Sequence, residues 1–223
     1  LLWDERYMGE ILMFSNPRDS FAIALKRLGY SMNSTSEEEL RDACESLKDQ
    51  KALVQAYVMD EIFDKMEGEE AMIAPYYAGD AIVMAEENPN LAFSVPGEGT
   101  NRFIDSICIP SNAKQKEAAE MYINFLCEPQ VAAENITYIG YSTPNLAAYD
   151  LLDEQMQQNE IAYPAQEVLT NTEAFVFLPA ETSTLMDKLW TEILSNDKNY
   201  SKWTIPAFLL VGILFSIGIN VRR

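Results

Sequence analysis

The sequence predicts an α/β protein, and three observations carry that expectation. Short apolar runs of strand length recur along the chain, helix-patterned segments lie between them, and turn residues punctuate the joins. With 223 residues the chain is long enough for one or two domains with a real core.

The elements follow in order. Residues 15–30 read SNPRDSFAIALKRLGY. Asn16 or Ser15 can cap a helix there, Pro17 suits its first position, and Asp19 falls in its first turn. Phe21, Ala24, Leu25 and Leu28 form the apolar stripe, and Gly29 ends it. Ser36 with Glu39 three residues on predicts a capping box, followed by a stripe of Leu40, Ala43, Cys44 and Leu47. Strand-like runs are expected at 53–57, 71–75, 91–95, 103–109 and 174–178. Helices are expected at about 60–67, 78–87, 113–127, 129–138, 145–152 and 181–194. Pro96-Gly97-Glu98-Gly99, Pro110-Ser111-Asn112 and Ser142-Thr143-Pro144-Asn145 read as turns.

Composition removes several functions. Sixteen basic residues against 35 acidic ones give a net charge of −19, and there is no histidine. A polyanion partner such as nucleic acid needs the opposite surplus, so none is expected. Histidine catalysis and histidine metal ligation are excluded. Hydrophobic residues at 48% argue against a disordered chain despite the charge. What the balance favours is an acidic surface and a cationic ligand. Cys44, Cys108 and Cys127 are far apart, so no CxxC zinc pattern exists. They read as buried thiols behaving as small hydrophobes, with one disulfide left open. No phosphate-binding loop or dinucleotide fingerprint occurs, and no catalytic residue, cofactor or metal is assigned. Runs such as Glu37-Glu38-Glu39 read as solvated surface.

The tail stands apart. Residues 203–221 carry no charged residue, with Trp203 at one end and Arg222-Arg223 at the other. A helix of that length spans about 28 Å, close to the hydrocarbon thickness of a bilayer. The arginine end is then cytoplasmic, the body extracytoplasmic, and 198–202 a short linker. The start, Leu1-Leu2-Trp3, has neither initiator methionine nor signal-peptide pattern and reads as an internal cut.

Five segments together resemble one family: LWDERYMGEILMF, FAIALKRLGYSMNS, MEGEEAMIAPYYAGDA, the long run RFIDSICIPSNAKQKEAAEMYINFLCEP, and ITYIGYSTPNLAAYDLL. They are similar to the spermidine/putrescine-binding proteins of bacterial polyamine ABC transporters, in order over about residues 1–195. The resemblance implies a bilobed periplasmic-binding-protein fold of type II with ligand in the cleft. It implies a first lobe that is incomplete here, since a full member carries a further stretch before Trp3. Residues 1–103 would belong to the second lobe, 104–153 would return into the first, and 154–197 would complete the second. The partners implied are a polyamine, ABC permease subunits and, through 203–221, the membrane.

A polyamine needs carboxylates at its ammonium groups and aromatic faces along its methylenes. By resemblance Asn16 and Asp19 stand where family members place two acids, with Asn16 a neutral departure. Phe103 and Asp105 stand where an aromatic and an amine-gripping aspartate are usual. Two apart in an expected strand, they would share a face. Tyr77 and Tyr141 match two further cleft aromatics. Phe175 replaces a polar glutamine. Those departures keep open a same-fold binder of another small solute, and the apolar tail keeps open a membrane-anchored sensor ectodomain.

Overall fold

The computed structural model describes residues 1–196. Strand β1 (Ile11–Phe14) pairs in parallel with β2 (Val54–Val58), and Ile73 adds a single parallel bridge to Ile11. Every residue of β1 is buried. Its side chains alternate, so Ile11 and Met13 enter one apolar cluster and Leu12 the other. The burial of both faces makes this a three-layer arrangement.

One outer layer is α1 (Pro17–Arg27), α2 (Glu37–Gln50) and α10 (Ala180–Ser195). Phe21, Leu25, Leu40, Leu47, Leu189 and Ile193 close it over Ile11 and Met13. Side chains of that size stabilise by roughly 1.5–3 kcal/mol each when fully buried. The stripes arise from helical spacing: Met186, Leu189, Trp190 and Ile193 occupy one face of α10. Trp190 meets the Tyr57 ring edge-on at 5.4 Å. The opposite layer is α3 (Ile62–Glu67) and α4 (Ala78–Glu87), where Ile62 and Met84 pack on Leu12 and Val58.

Capping chemistry sets the helix ends. The Asn16 side chain accepts from the Asp19 N–H at 3.1 Å, and Ser36 accepts from the Glu39 N–H at 3.4 Å. Gly29 stops the α1 segment at φ +81°, a conformation in which most residues are strained.

Beyond α4 the chain leaves this body. Strand β3 (Thr100–Arg102) precedes an excursion of α5 (Lys116–Leu126), α6 (Pro129–Ile139) and the short α7 (Leu146–Tyr149), α8 (Glu154–Gln157) and α9 (Gln166–Leu169). The chain returns as β4 (Thr172–Ala174), parallel to β3. Asn33 and Lys26 tie β4 to the first layer: Asn33 Nδ2 donates to the Ala174 carbonyl at 2.8 Å, and Lys26 Nζ meets Glu173 at 2.9 Å. The excursion has a small core of its own, Ala133, Ala148 and Leu152.

Most longer helices match their expected positions, but 145–152 shortens to Leu146–Tyr149, α8 and α9 were not expected, and the strands differ: β1 and β3 lie outside every expected run. Residues 71–75 contribute one bridge, 91–95 form no strand, and the 174–178 strand lies earlier, at Thr172–Ala174. The expected strand at 103–109 is also missing; the ladder stops at Arg102. Ile104 and Ile107 in that run are 82% and 62% exposed, so its apolar character finds no sheet among the described residues. The cysteines differ too: Cys44 is buried, but Cys108 and Cys127 are exposed, and all three are free thiols. No helix of the described residues is long and apolar enough to cross a membrane. The expected span at 203–221 and its linker lie outside those residues.

Candidate functional site

Parallel strands commonly place ligand sites beyond their carboxyl ends, because the loops there are free to carry side chains into one space. Here β1 ends at Phe14 and leads to Asn16–Asp19, β2 ends at Val58 and leads to Asp60, and the Ile73 bridge leads to Tyr76, Tyr77 and Asp80. Five aromatic rings follow one another across this end. Phe14 lies 5.6 Å from Tyr76 and 5.3 Å from Tyr77; Tyr77 meets Phe103 at 5.6 Å, and Phe103 meets Tyr141 at 6.2 Å, both edge-on. Offset and edge-on contacts are the favoured aromatic geometries.

Carboxylates flank the rings. Tyr77 OH donates to Asp19 Oδ2 at 3.2 Å, and Tyr141 OH donates to Asp80 Oδ2 at 3.0 Å. The electrostatics follow from burial beside negative charge. Burial raises the Tyr77 hydroxyl, with Asp19 adding to it; burial raises Tyr141, with Asp80 and then Asp105 adding to it. Tyr76 is pushed up to about 12 by burial, then by Asp80 and Asp60. These phenols stay protonated at neutral pH and remain donors toward the carboxylates.

Hydrogen bonds and ring contacts link five of the six residues expected from the sequence, Asn16, Asp19, Tyr77, Phe103 and Tyr141. Asn16 caps α1 and its Nδ2 donates to Asp19, so both ends of its amide are used locally. Asp19 also accepts from Tyr77. Tyr77 touches Phe103, and Phe103 touches Tyr141. No hydrogen bond or ion pair joins Asp105 to this group among the described residues; its charge only adds to the upward push on the Tyr141 hydroxyl. Its setting differs from expectation: Asp105 is exposed and lies in no strand, so the shared-face argument drawn from strand geometry does not hold. Phe175 meets the Arg18 guanidinium, which sits 4.6 Å from the ring centroid.

Sequence reasoning missed Phe14, Tyr76, Asp80 and Arg18. Phe14 ends the apolar run ILMF and Tyr76 follows the run 71–75, so neither carries a local signal for a site. Asp80 was legible in principle: it stands in the first turn of a helix without a side-chain cap, directly after Gly79. Arg18 is a cation that feels the charge of Asp19. Its Nη2 donates to Asn33 Oδ1 at 2.6 Å, and its Nη1 is buried without a hydrogen-bond partner among the described residues.

A ring ladder with acids beside it can hold a cation bearing methylenes. Each well-placed ring contributes roughly 0.5–2 kcal/mol of cation–π attraction. The layered lobe with a site beyond the carboxyl ends of its strands is the periplasmic-binding-protein-like fold. Residues 1–172 match the family model described as bacterial extracellular solute-binding protein. The chain belongs to that family, whose members are solute-binding components of transport and not enzymes. It is 38% identical over 173 residues to the spermidine/putrescine-binding periplasmic protein of Escherichia coli (strain K12), covering 77% of this chain and 49% of that one. It is 29% identical over 191 residues to a putrescine-binding periplasmic protein of Pseudomonas aeruginosa, covering 83% of this chain and 52% of that one. The chain thus spans about half the length of these curated relatives. Among solved structures, a protein described as a spermidine/putrescine ABC transporter from Listeria monocytogenes superposes with a TM-score of 0.82 at 32% identity, over 87% of this chain and 60% of that one. The spermidine/putrescine ABC transporter substrate-binding protein of Streptococcus pneumoniae gives 0.76 at 31% identity, over 86% and 60%.

Proposed function

We propose that this chain forms most of one lobe, and the return segment of the other, in the substrate-binding component of a polyamine ABC importer. The observation that carries this reading is the ladder from Phe14 to Tyr141 with Asp19 and Asp80 hydrogen-bonded to its tyrosines. Rings suit methylenes, and carboxylates suit ammonium groups. The relatives named for spermidine and putrescine support the same ligand class. In this reading Asn16, Asp19, Tyr77, Phe103, Asp105 and Tyr141 contact ligand. Calorimetry on the intact protein with spermidine, putrescine and a neutral amino acid tests it. Heat with the polyamines alone is expected; no heat with either polyamine would overturn the proposal.

The lobe boundaries at 103 and 153 belong to the same reading. The pairing of Thr100–Arg102 with Thr172–Ala174 favours the departure near 103, while Met156 and Tyr163, packed on the excursion's own core, favour a return later than 153. In the same reading 203–221 would anchor an extracytoplasmic body to the membrane beside the permease. Alkaline extraction of membranes should leave the intact protein bound and release a version ending at Asn196. Release of both would remove the anchor.

A second reading rests on Arg18. A guanidinium stacked on Phe175 beside Asp19 suits a solute carrying an acid next to its amine. In that case Arg18→Gln would weaken binding of an amino-carboxylate and strengthen binding of putrescine in the same calorimeter.

A further inference from the structure

We propose that Asp80 is a positioning residue for Tyr141, and that Gly79 and Gly140 form the seat on which Tyr141 rests. The inference rests on the polyamine reading of the ring ladder. It adds a device that ties the excursion to the lobe at the place where the ladder ends.

Four observations carry it. Tyr141 leaves the end of α6 directly after Gly140, which holds φ +74° as the helix cap. A Cβ at Gly140 would lie 3.0 Å from the Gly79 carbonyl oxygen and 3.4 Å from Val83 Cγ2, so the excursion approaches α4 backbone to backbone. A Cβ at Gly79 would lie 2.0 Å from Tyr141 Cδ2 and 2.2 Å from Cε2. No real contact is so close, so the ring occupies the space a side chain at Gly79 would need. The Tyr141 hydroxyl then donates to Asp80, the next residue, at 3.0 Å. Ring and hydroxyl are thus held by two consecutive residues in the first turn of α4.

The arrangement is more than packing because of what Asp80 lacks. No lysine or arginine pairs with it among the described residues, and Asp60 is the nearby charge that acts on it. A half-buried carboxylate facing a like charge costs stability, so hydroxyl donation from Tyr141 is its compensation. The orientation this gives Tyr141 passes to Phe103 by their edge-on contact, and from Phe103 to Tyr77. Asp80 therefore acts on ligand through Tyr141.

The test is a double-mutant cycle on the intact protein with Asp80→Ala, Asp80→Asn and Tyr141→Phe. It has two readouts: thermal unfolding without ligand, and calorimetry with putrescine and spermidine. In unfolding, Asp80→Ala and Tyr141→Phe are expected to be non-additive; additive shifts in the midpoint overturn the hydrogen-bonded seat whether or not any polyamine binds. In binding, Asp80→Ala should weaken both polyamines about tenfold. Asp80→Asn, whose amide oxygen still accepts from the hydroxyl, should restore affinity to within about threefold. In the Tyr141→Phe background neither substitution at Asp80 should matter further. If Asp80→Asn weakens binding as much as Asp80→Ala in both backgrounds, Asp80 grips the amine by its own charge and the positioning role falls. A wild-type protein that takes up no polyamine sinks the polyamine reading, and the ligand-free cycle then decides the seat.

Discussion

Burial pushes the Asp80 carboxyl above its ordinary range, the Tyr141 hydroxyl pulls it partway back, and Asp60 raises it again. Between the unfolded value and the higher folded one, the native state binds more protons than the unfolded chain. Stability therefore falls as pH rises through that window, and the ionised group is a net cost at neutral pH. Asp80→Asn should raise the urea midpoint at pH 7 and flatten its pH dependence just above the usual aspartate range; a lower midpoint at pH 7 contradicts this. Glu173 has the opposite sign. Burial pushes it up, but Ser31 and Lys26 more than offset that, and its carboxyl lies below the ordinary value. Its contribution is present above the unfolded value and disappears as pH falls through the folded one. Glu173→Gln should cost about 1 kcal/mol at pH 7, kept small by partial solvent exposure of the pair, and almost nothing near pH 2. Asp105 is exposed and outside any ladder. Asp105→Asn should leave the unfolding midpoint unchanged while lowering polyamine affinity about 30-fold, if an ammonium is held there.

At the scale of elements, capping and spacing explain why helices were legible. Ser36 and Asn16 each satisfy an otherwise orphaned N–H, and Ser36→Ala should cost about 1 kcal/mol by denaturant unfolding. Asn16→Asp keeps the cap and adds a charge beside Asp19. It should leave the helix intact and tighten polyamine binding severalfold in calorimetry, and weaker binding would separate Asn16 from the site. Strands were less legible because a strand is made by its partner. Residues 54–58 became β2 because Ile11–Phe14 lay beside them. Residues 103–109 have the same apolar look but no strand partner among the described residues, so they form no strand and residues 103–108 are exposed.

Across the molecule the two parts differ in how they bury their apolar residues. The body around β1 encloses Phe21, Leu40, Ile62 and Leu189 almost completely, whereas α5 has no buried residue and exposes Met121, Tyr122 and Phe125. Tyr138, Leu146 and Leu151 in the same excursion are exposed as well. Apolar patches of this kind mark surfaces made to be covered. Hydrogen exchange on the chain by itself should show protection strongest in α1, α2 and α10 and much weaker through 103–163; equal protection in both would refute the division. Of the six candidate residues, Asn16, Asp19, Tyr77, Phe103 and Tyr141 form one connected group. Their junction was not legible, because Tyr141 and Asp80 are 61 positions apart and meet only through the Gly79 and Gly140 approach.

The sequence by itself determined the longer helices, the acidic charge and the residue types offered to the candidate site. Each of these depends on local spacing, capping or residue type. The tertiary structure decided which apolar runs became strands, that Asp105 is exposed, and that Asp80, Phe14 and Tyr76 join the ladder. Those outcomes depend on partners distant in the chain: a strand needs a neighbour, and a carboxylate takes its character from whatever folding brings beside it.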